Sequence, residues 1–410
     1  MSNRLKFFRE QMAAFEGAVD PQRAISGGYY IPEPRKSVSE LISRRIGIRP
    51  SSTHLILGGI GSGKTTQLLV TRDRINQEVD NVYAHYVDVS LYTNISEISP
   101  GVLTAVAGVV LCDLVVARGY DLSKVALVKN RIELVKNLAY GYSERKLVDR
   151  IEEVWAITNP LETTSVVIER HEGILNPKYS KEKKELIASV AVLYNVARSQ
   201  YGEIVLLLDG LDRLNNIQAF SQIIATDIQD LLSLGVGIVL VGPLRALYGE
   251  YRDTIEQAVN YFDYRSCFDV KNDSDSYTFF EKIIETRASE GFIEKAAIQS
   301  LIHYSGGVLR DLINLTQAAI EEAYLADSDT VQKTDVEASA DSFGKAKLLG
   351  LSDEELEIFA DMLEGNTFLP RTDEKIRLLV AGHILEYRYP KKRYAIHPAL
   401  LPALQLVQQN

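Results

Sequence analysis

The chain has 410 residues, 46% apolar and 24% charged, the balance of a soluble globular protein and too long for one ordinary core. Its formal net charge of −10 argues against a chain drawn as a whole to nucleic acid, so any DNA contact needs a local basic patch. Two cysteines, Cys112 and Cys267, lie far apart without ligand spacing, which excludes a disulfide framework or a zinc site and fits a reducing cytoplasm.

Residues 1–26 read as an amphipathic helix, with Leu5, Phe8, Met12 and Phe15 on one face. The opening residues are charged and lack the apolar core of a signal peptide. A Gly27–Gly28 turn leads into the extended stretch YYIPEPR, and 37–46 reads as a helix capped by Ser37. An apolar strand at 54–57 ends in glycines, a helix follows at 63–78, and 82–89 is a second strand. Helical patterns then run at 102–118, 123–139, 144–156 and 181–199.

One of these segments, VLTAVAGVVLCDLVVA, is as apolar as a membrane span. It is shorter than the about 20 residues a span needs, and it contains Asp113, so a buried helix is expected and no membrane contact. Apolar runs at 204–208 and 236–241 suit the centre of a parallel sheet covered on both faces, and 265–270 reads as a last strand. Strand and helix alternate, which predicts a doubly wound α/β layer. After residue 270 the patterns are helical, at 276–289, 293–304, 308–326 and 334–346. Helices at 353–364 and 373–382 precede ILEYRYPKKRYAIHP, two short strands about a turn; helix, helix, hairpin is a winged-helix pattern.

The chemistry concentrates in GGIGSGKTT, where Gly58, Gly63, Lys64 and Thr65 satisfy G-x-x-x-x-G-K-[ST] between a strand and a helix. Glycines let the backbone curl so that successive N–H groups face phosphate oxygens. The helix start adds its positive end. Gly58, Gly59, Ile60, Gly61, Ser62, Gly63, Lys64, Thr65 and Thr66 are therefore expected on a nucleoside triphosphate, with the Thr65 hydroxyl in the magnesium shell. In EIVLLLDGLDRL, Asp209 ends a buried strand and is the second candidate for the magnesium shell. The fold class expected is α/β: a P-loop NTPase parallel sheet flanked by helices, then an all-α lid and a winged-helix domain. The expected domains are 1–52, a core at 53–270 with an insertion at about 91–202, a lid at 271–347 and the winged helix at 350–410.

The spacing of Lys64 and Asp209 leaves room for an extra strand, which resembles the AAA+ and STAND ATPases. In AAA+ proteins a glutamate usually follows the Asp; here that place is Gly210, and D-G-L-D resembles the STAND and NACHT pattern. That resemblance implies Asp212 as the residue that polarises the attacking water, slow hydrolysis, and Arg245 as a sensor near the γ-phosphate. YSGGVLRDLINL resembles the second-sensor segment of the AAA+ lid in origin-recognition initiators, which implies Arg310 at the nucleotide. YYIPEPR resembles the segment that grips adenine in these families, through Tyr30, Ile31 and Pro32, and His397 in AIHPALL resembles a histidine that touches the β-phosphate. ATP and ADP with Mg2+ are the cofactors so implied.

The basic hairpin tip, Arg388, Lys391, Lys392 and Arg393, is a candidate DNA contact, although segment 350–410 carries more acid than base. The resemblance implies a nucleotide-dependent switch that controls its own oligomerisation or an effector protein, by analogy in bacterial defence. The alternative is an initiator- or transposition-regulator-like AAA+ ATPase that binds duplex DNA through the winged helix. A membrane-tethered ATPase stands as a third reading.

Overall fold

The computed structural model describes residues 3–16, 21–118, 126–140 and 181–407; the helix expected at 144–156 lies outside them. Five strands form one sheet: β1 Thr53–Gly58, β2 Val82–Asp88, β3 Glu203–Asp209, β4 Gly237–Val241 and β5 Tyr261–Arg265, in the order β2-β3-β4-β1-β5. The pairings β1–β4, β2–β3 and β3–β4 are parallel. β1 and β4 are buried throughout and β3 nearly so, which is why their sequences read as unbroken apolar runs. β2, at an edge, is only partly buried. This is an α/β P-loop fold with helical domains.

β5 starts earlier than the sequence suggests. YFDYR looks too polar for a strand, yet Asp263 and Arg265 are buried because each has an ion partner. Asp263 accepts from Arg45 at 2.7 Å and lies 3.3 Å from His54 Nδ1, and Arg265 is paired with Glu33. A buried charge is tolerated where it is paired and hydrogen-bonded.

Contacts divide the chain into two compact units: Met1–Val38, Leu57–Leu69 and Tyr264–Asn410 in one, Ser39–Ile56 and Val70–Asp263 in the other. In the second, the helices Val102–Ala117, Ala126–Tyr140 and Lys181–Tyr201 pack against each other. Val102–Ala117 is buried along most of its length, and Asp113 escapes by facing outward, 4.0 Å from Lys136. Among the described residues no helix is long and apolar enough to cross a membrane. The fully buried Asp227 caps this helix from a distant π-helical turn, accepting from Gly101 N at 2.7 Å and Leu103 N at 2.9 Å. Burial pushes its carboxyl above the ordinary value, against those hydrogen bonds.

In the first unit, the helices Ser274–Glu285, Lys295–Tyr304, Leu309–Leu325 and Lys333–Leu348 surround a core that includes Phe280, Leu301 and Ile320. The N-terminal helix Asn3–Glu16 belongs to the same core through Phe8 and Phe15. Its Arg4 donates to the carbonyls of Tyr324 at 3.1 Å and Ser328 at 2.7 Å, satisfying groups exposed at the end of Leu309–Leu325. Downstream come the helices Asp353–Leu363 and Asp373–Val380, then the antiparallel hairpin of β6 Ile384–Tyr387 and β7 Arg393–Ile396. Ser352 and Glu355 form a capping box that fixes the start of the first of these helices.

Asp227→Ala should leave two helix-terminal N–H groups buried without an acceptor and lower stability by about 1–3 kcal/mol. Urea unfolding would check this; an unchanged midpoint would mean that solvent replaces the carboxylate.

Candidate phosphate-binding site

β1 delivers the chain to the loop 59–63, and the helix Lys64–Glu78 leaves it. Gly61 and Gly63 have φ of 78° and 84°, conformations that other residues rarely adopt. A Cβ on Gly61 would sit 2.7 Å from Arg310 Cβ, so the loop also has no room for a side chain there. Ser62 N–H donates to the Gly59 carbonyl at 3.3 Å, and Gln67 N–H to the Gly63 carbonyl at 3.0 Å, which closes the first turn of the helix. Lys64, nearly buried, donates from Nζ to the Gly58 and Gly59 carbonyls, each at 3.0 Å, and its ammonium lies over the loop. Thr65 and Thr66 occupy the first helical turn and are half-buried, and Ile60 is exposed. The Ser62 hydroxyl is buried without a hydrogen-bond partner among the described residues. A curled glycine backbone, a helix N-terminus and one ammonium group fit a polyphosphate.

Two groups not foreseen in the sequence support this loop. Arg265, at the end of β5, donates from Nε to the Ser62 carbonyl, and its two terminal nitrogens hold both oxygens of Glu33, one at 3.0 Å. Gln67 donates to the same Glu33 carboxylate at 2.7 Å. No local signal could have found them: Glu33 lies in a proline-flanked extended stretch, and its partner Arg265 is distant in sequence. Beside Glu33, Ile31 packs against the helical core that includes Phe280, Leu301 and Ile320, Tyr30 is half-buried and Pro32 is exposed.

The helix Leu309–Leu325 meets the loop directly. Arg310, in the first turn of Leu309–Leu325, donates its backbone N–H to the Gly61 carbonyl at 3.3 Å. Its side chain is exposed, and no carboxylate lies within ion-pair distance of it among the described residues. The next residue, Asp311, accepts from His397 Nε2 at 3.1 Å and lies 3.6 Å from Lys347. Ala399 N–H donates to His397 Nδ1 at 3.3 Å, which places the ring proton on Nε2. His397 was expected on a phosphate; instead it is fully buried, with both ring nitrogens bonded inside the protein. Burial pushes the imidazole below its ordinary value of 6.5, against the pull of Asp311. For Asp311, burial is outweighed by the His397 hydrogen bond and by Lys347, and its carboxyl is held low.

The basic hairpin tip is largely engaged within the protein. Arg393 grips Asp269 with two bonds, at 2.7 and 2.6 Å, and lies over the Tyr387 ring. Arg388 donates to the buried Glu386 at 2.8 Å and stacks on Tyr264 at 3.6 Å. Lys392 is 3.9 Å from Glu386, and Lys391 is exposed.

The remaining candidates belong to the other unit. Asp209, nearly buried at the end of β3, accepts from Tyr86 OH at 3.0 Å and from Gly210 N at 2.8 Å. Burial and then this carboxylate raise the Tyr86 phenol, so it remains a hydrogen-bond donor to Asp209. Asp212 is half-buried in the turn Leu211–Arg213 that follows Gly210, and Arg245 is half-buried in the turn Leu244–Leu247 after β4.

No protein-family model and no curated protein matches the chain. Among solved structures it is similar to Cdc6p from Pyrobaculum aerophilum, with 16% identity, a TM-score of 0.43 and coverage of 93% of this chain and 96% of that one. It is also similar to the Aeropyrum pernix ORC1 protein in complex with DNA, with 14% identity, a TM-score of 0.44 and coverage of 93% and 96%. A third is the Thermotoga maritima RuvB Holliday junction branch migration motor, with 14% identity, a TM-score of 0.38 and coverage of 90% and 92%. Likenesses this weak leave function to be argued from the chain's own residues.

The His397 contact has a signed pH dependence. A folded-state value below the unfolded one means that the unfolded chain binds the extra proton, so stability falls as pH drops below 6.5, by about 1.4 kcal/mol per unit until the folded value is reached. Urea midpoints at pH 7.5 and pH 5 should separate more in the native chain than in His397→Gln; equal separations would remove His397 from this dependence.

Proposed function

We propose that the chain is a magnesium-dependent P-loop ATPase of the AAA+ kind, acting as a nucleotide-dependent switch. The observation that carries this reading is the seat of Arg310 on the phosphate loop, at the Gly61 carbonyl, with Asp311 beside it holding His397. A change in the loop on nucleotide exchange would be felt at once by the lid helix and by the C-terminal segment. The output is then a change in self-assembly or in the hold on a partner protein.

The residues take the following roles. Lys64 neutralises the β- and γ-phosphates, and the N–H groups of the loop and first helical turn bind their oxygens. Thr65 and Asp209 hold the magnesium shell, in part through water, and the ion supplies positive charge against the phosphates. Asp212 polarises the attacking water, and Arg245 and Arg310 sense the γ-phosphate. Tyr30, Ile31 and Pro32 receive the adenine. With Gly210 where a glutamate would stand, hydrolysis is slow and the bound nucleotide marks state. His397, whose nitrogens have protein partners, joins lid to C-terminal segment in this reading. Lys64→Ala should weaken ATP binding by about 100-fold, the upper range for losing one charged hydrogen-bond donor. Calorimetry would check it; an affinity unchanged from the native chain would place the nucleotide elsewhere.

A DNA-binding ATPase is the second reading. It is favoured by Lys391, which is exposed and has no ion pair among the described residues, and by Lys392, which is 62% exposed. Against it, Arg388 and Arg393 already hold carboxylates. The switch reading expects duplex binding no tighter than about micromolar at physiological salt, the nonspecific range, with or without ATP. Fluorescence anisotropy would decide: tight, salt-sensitive binding that is lost in a Lys391→Ala, Lys392→Ala variant would establish the DNA reading.

A further inference from the structure

Glu33 accepts three bonds from two elements that flank the phosphate loop. Arg265 comes from the end of β5, and Gln67 from the first turn of the helix after the loop. Arg265 and Glu33 are both almost fully buried, so the ion pair is little screened by solvent. A bidentate guanidinium–carboxylate pair fixes direction as well as distance. With its terminal nitrogens on Glu33, the guanidinium turns its Nε to the Ser62 carbonyl. It lies against the loop, with one terminal nitrogen 3.3 Å from where a Cβ on Gly63 would stand.

A trans peptide points its carbonyl and the next N–H in opposite directions. Holding the Ser62 carbonyl on the Arg265 side therefore turns the Gly63 N–H to the other side. Glu33 also directly follows Tyr30, Ile31 and Pro32, the segment assigned to the base.

We infer that Arg265 and Glu33 form a positioning pair for nucleotide: Arg265 aims the Ser62–Gly63 peptide at phosphate, and Glu33 ties the base-side segment to that arginine. The inference rests on the ATP reading of the loop and adds a coupling to it. Of the pair, Arg265 acts on the phosphates directly through the loop, and the added affinity due to the base depends on Glu33. Inorganic tripolyphosphate carries the phosphates without the base, so the two contributions separate in one titration series.

The test is calorimetry on the full chain with Mg-ATP and with Mg-tripolyphosphate, using native protein, Lys64→Ala, Glu33→Gln and Arg265→Lys. Glu33→Gln keeps the shape and one acceptor, and Arg265→Lys keeps the charge without the fork, so both are milder than truncation to alanine. Thermal unfolding of each variant confirms that it folds. Glu33→Gln should lower ATP affinity about tenfold and change tripolyphosphate affinity less than about twofold, a split that a general loss of structure would not give. Arg265→Lys should lower both about tenfold. Equal losses for both ligands in Glu33→Gln, or none for ATP, would overturn the coupling. If the native chain bound ATP in a Lys64-dependent way in that case, the ATP reading would survive alone. If the native chain bound neither ligand, both would fall.

Discussion

Whatever holds the carbonyl side of a phosphate loop also decides where its N–H groups point, because each peptide is rigid and trans. In this chain the outer side of the loop is held at two places by groups from far along the sequence. Arg265 takes the Ser62 carbonyl and the Arg310 backbone takes that of Gly61. The loop sequence supplies permissive glycines, but permissive backbone has no preferred direction of its own. The surrounding unit supplies that direction, so the helix Leu309–Leu325 and the end of β5 shape the loop as much as its glycines do.

The same segment that braces the loop is gripped from the hairpin. Tyr264 donates to Glu386 at 2.9 Å, Cys267 N–H to the Glu386 carbonyl at 3.1 Å, and Asp269 accepts the Arg393 fork. Arg265, between them, faces the loop. Tyr387 adds a bond from its hydroxyl to the Gly306 carbonyl at 2.8 Å, next to the turn that leads to Arg310. Buried charge pairs of this sort contribute little net stability, because desolvation offsets attraction, yet breaking one partner is costly.

How far the sequence could be read depended on whether the signal was local. The glycine loop, Lys64 and Thr65 form one contiguous segment between a strand and a helix, and the structure has that strand and helix. The helices after residue 270 and the hairpin followed from local pattern, and the apolar helix Val102–Ala117 was told from a membrane span by its length and by Asp113. β5 was misplaced because its charges looked exposed, while their partners Arg45, His54 and Glu33 lie more than two hundred positions away. The acceptors of Arg393 and Arg388 were hidden for a similar reason: Glu386 sits in an apolar-looking strand and Asp269 in a loop. A basic run in sequence reports charge present, not charge available.

Residue types in the right geometry still need access. Ser52 Oγ lies 3.1 Å from His54 Nε2, and His54 Nδ1 lies 3.3 Å from Asp263, an arrangement that resembles a hydrolytic triad. Yet Ser52 and His54 are fully buried, Ser52 donates to the Arg49 carbonyl at 2.8 Å, and the imidazole stacks on Tyr261. Burial lowers the His54 imidazole, and Arg45 competes for the same carboxylate. A serine with its proton committed to a backbone carbonyl cannot attack, and no substrate reaches it, so these residues fix the start of β1. The loop after β1 differs in its setting: it runs into the start of a helix, and its glycines let the neighbouring chain close on a curled backbone.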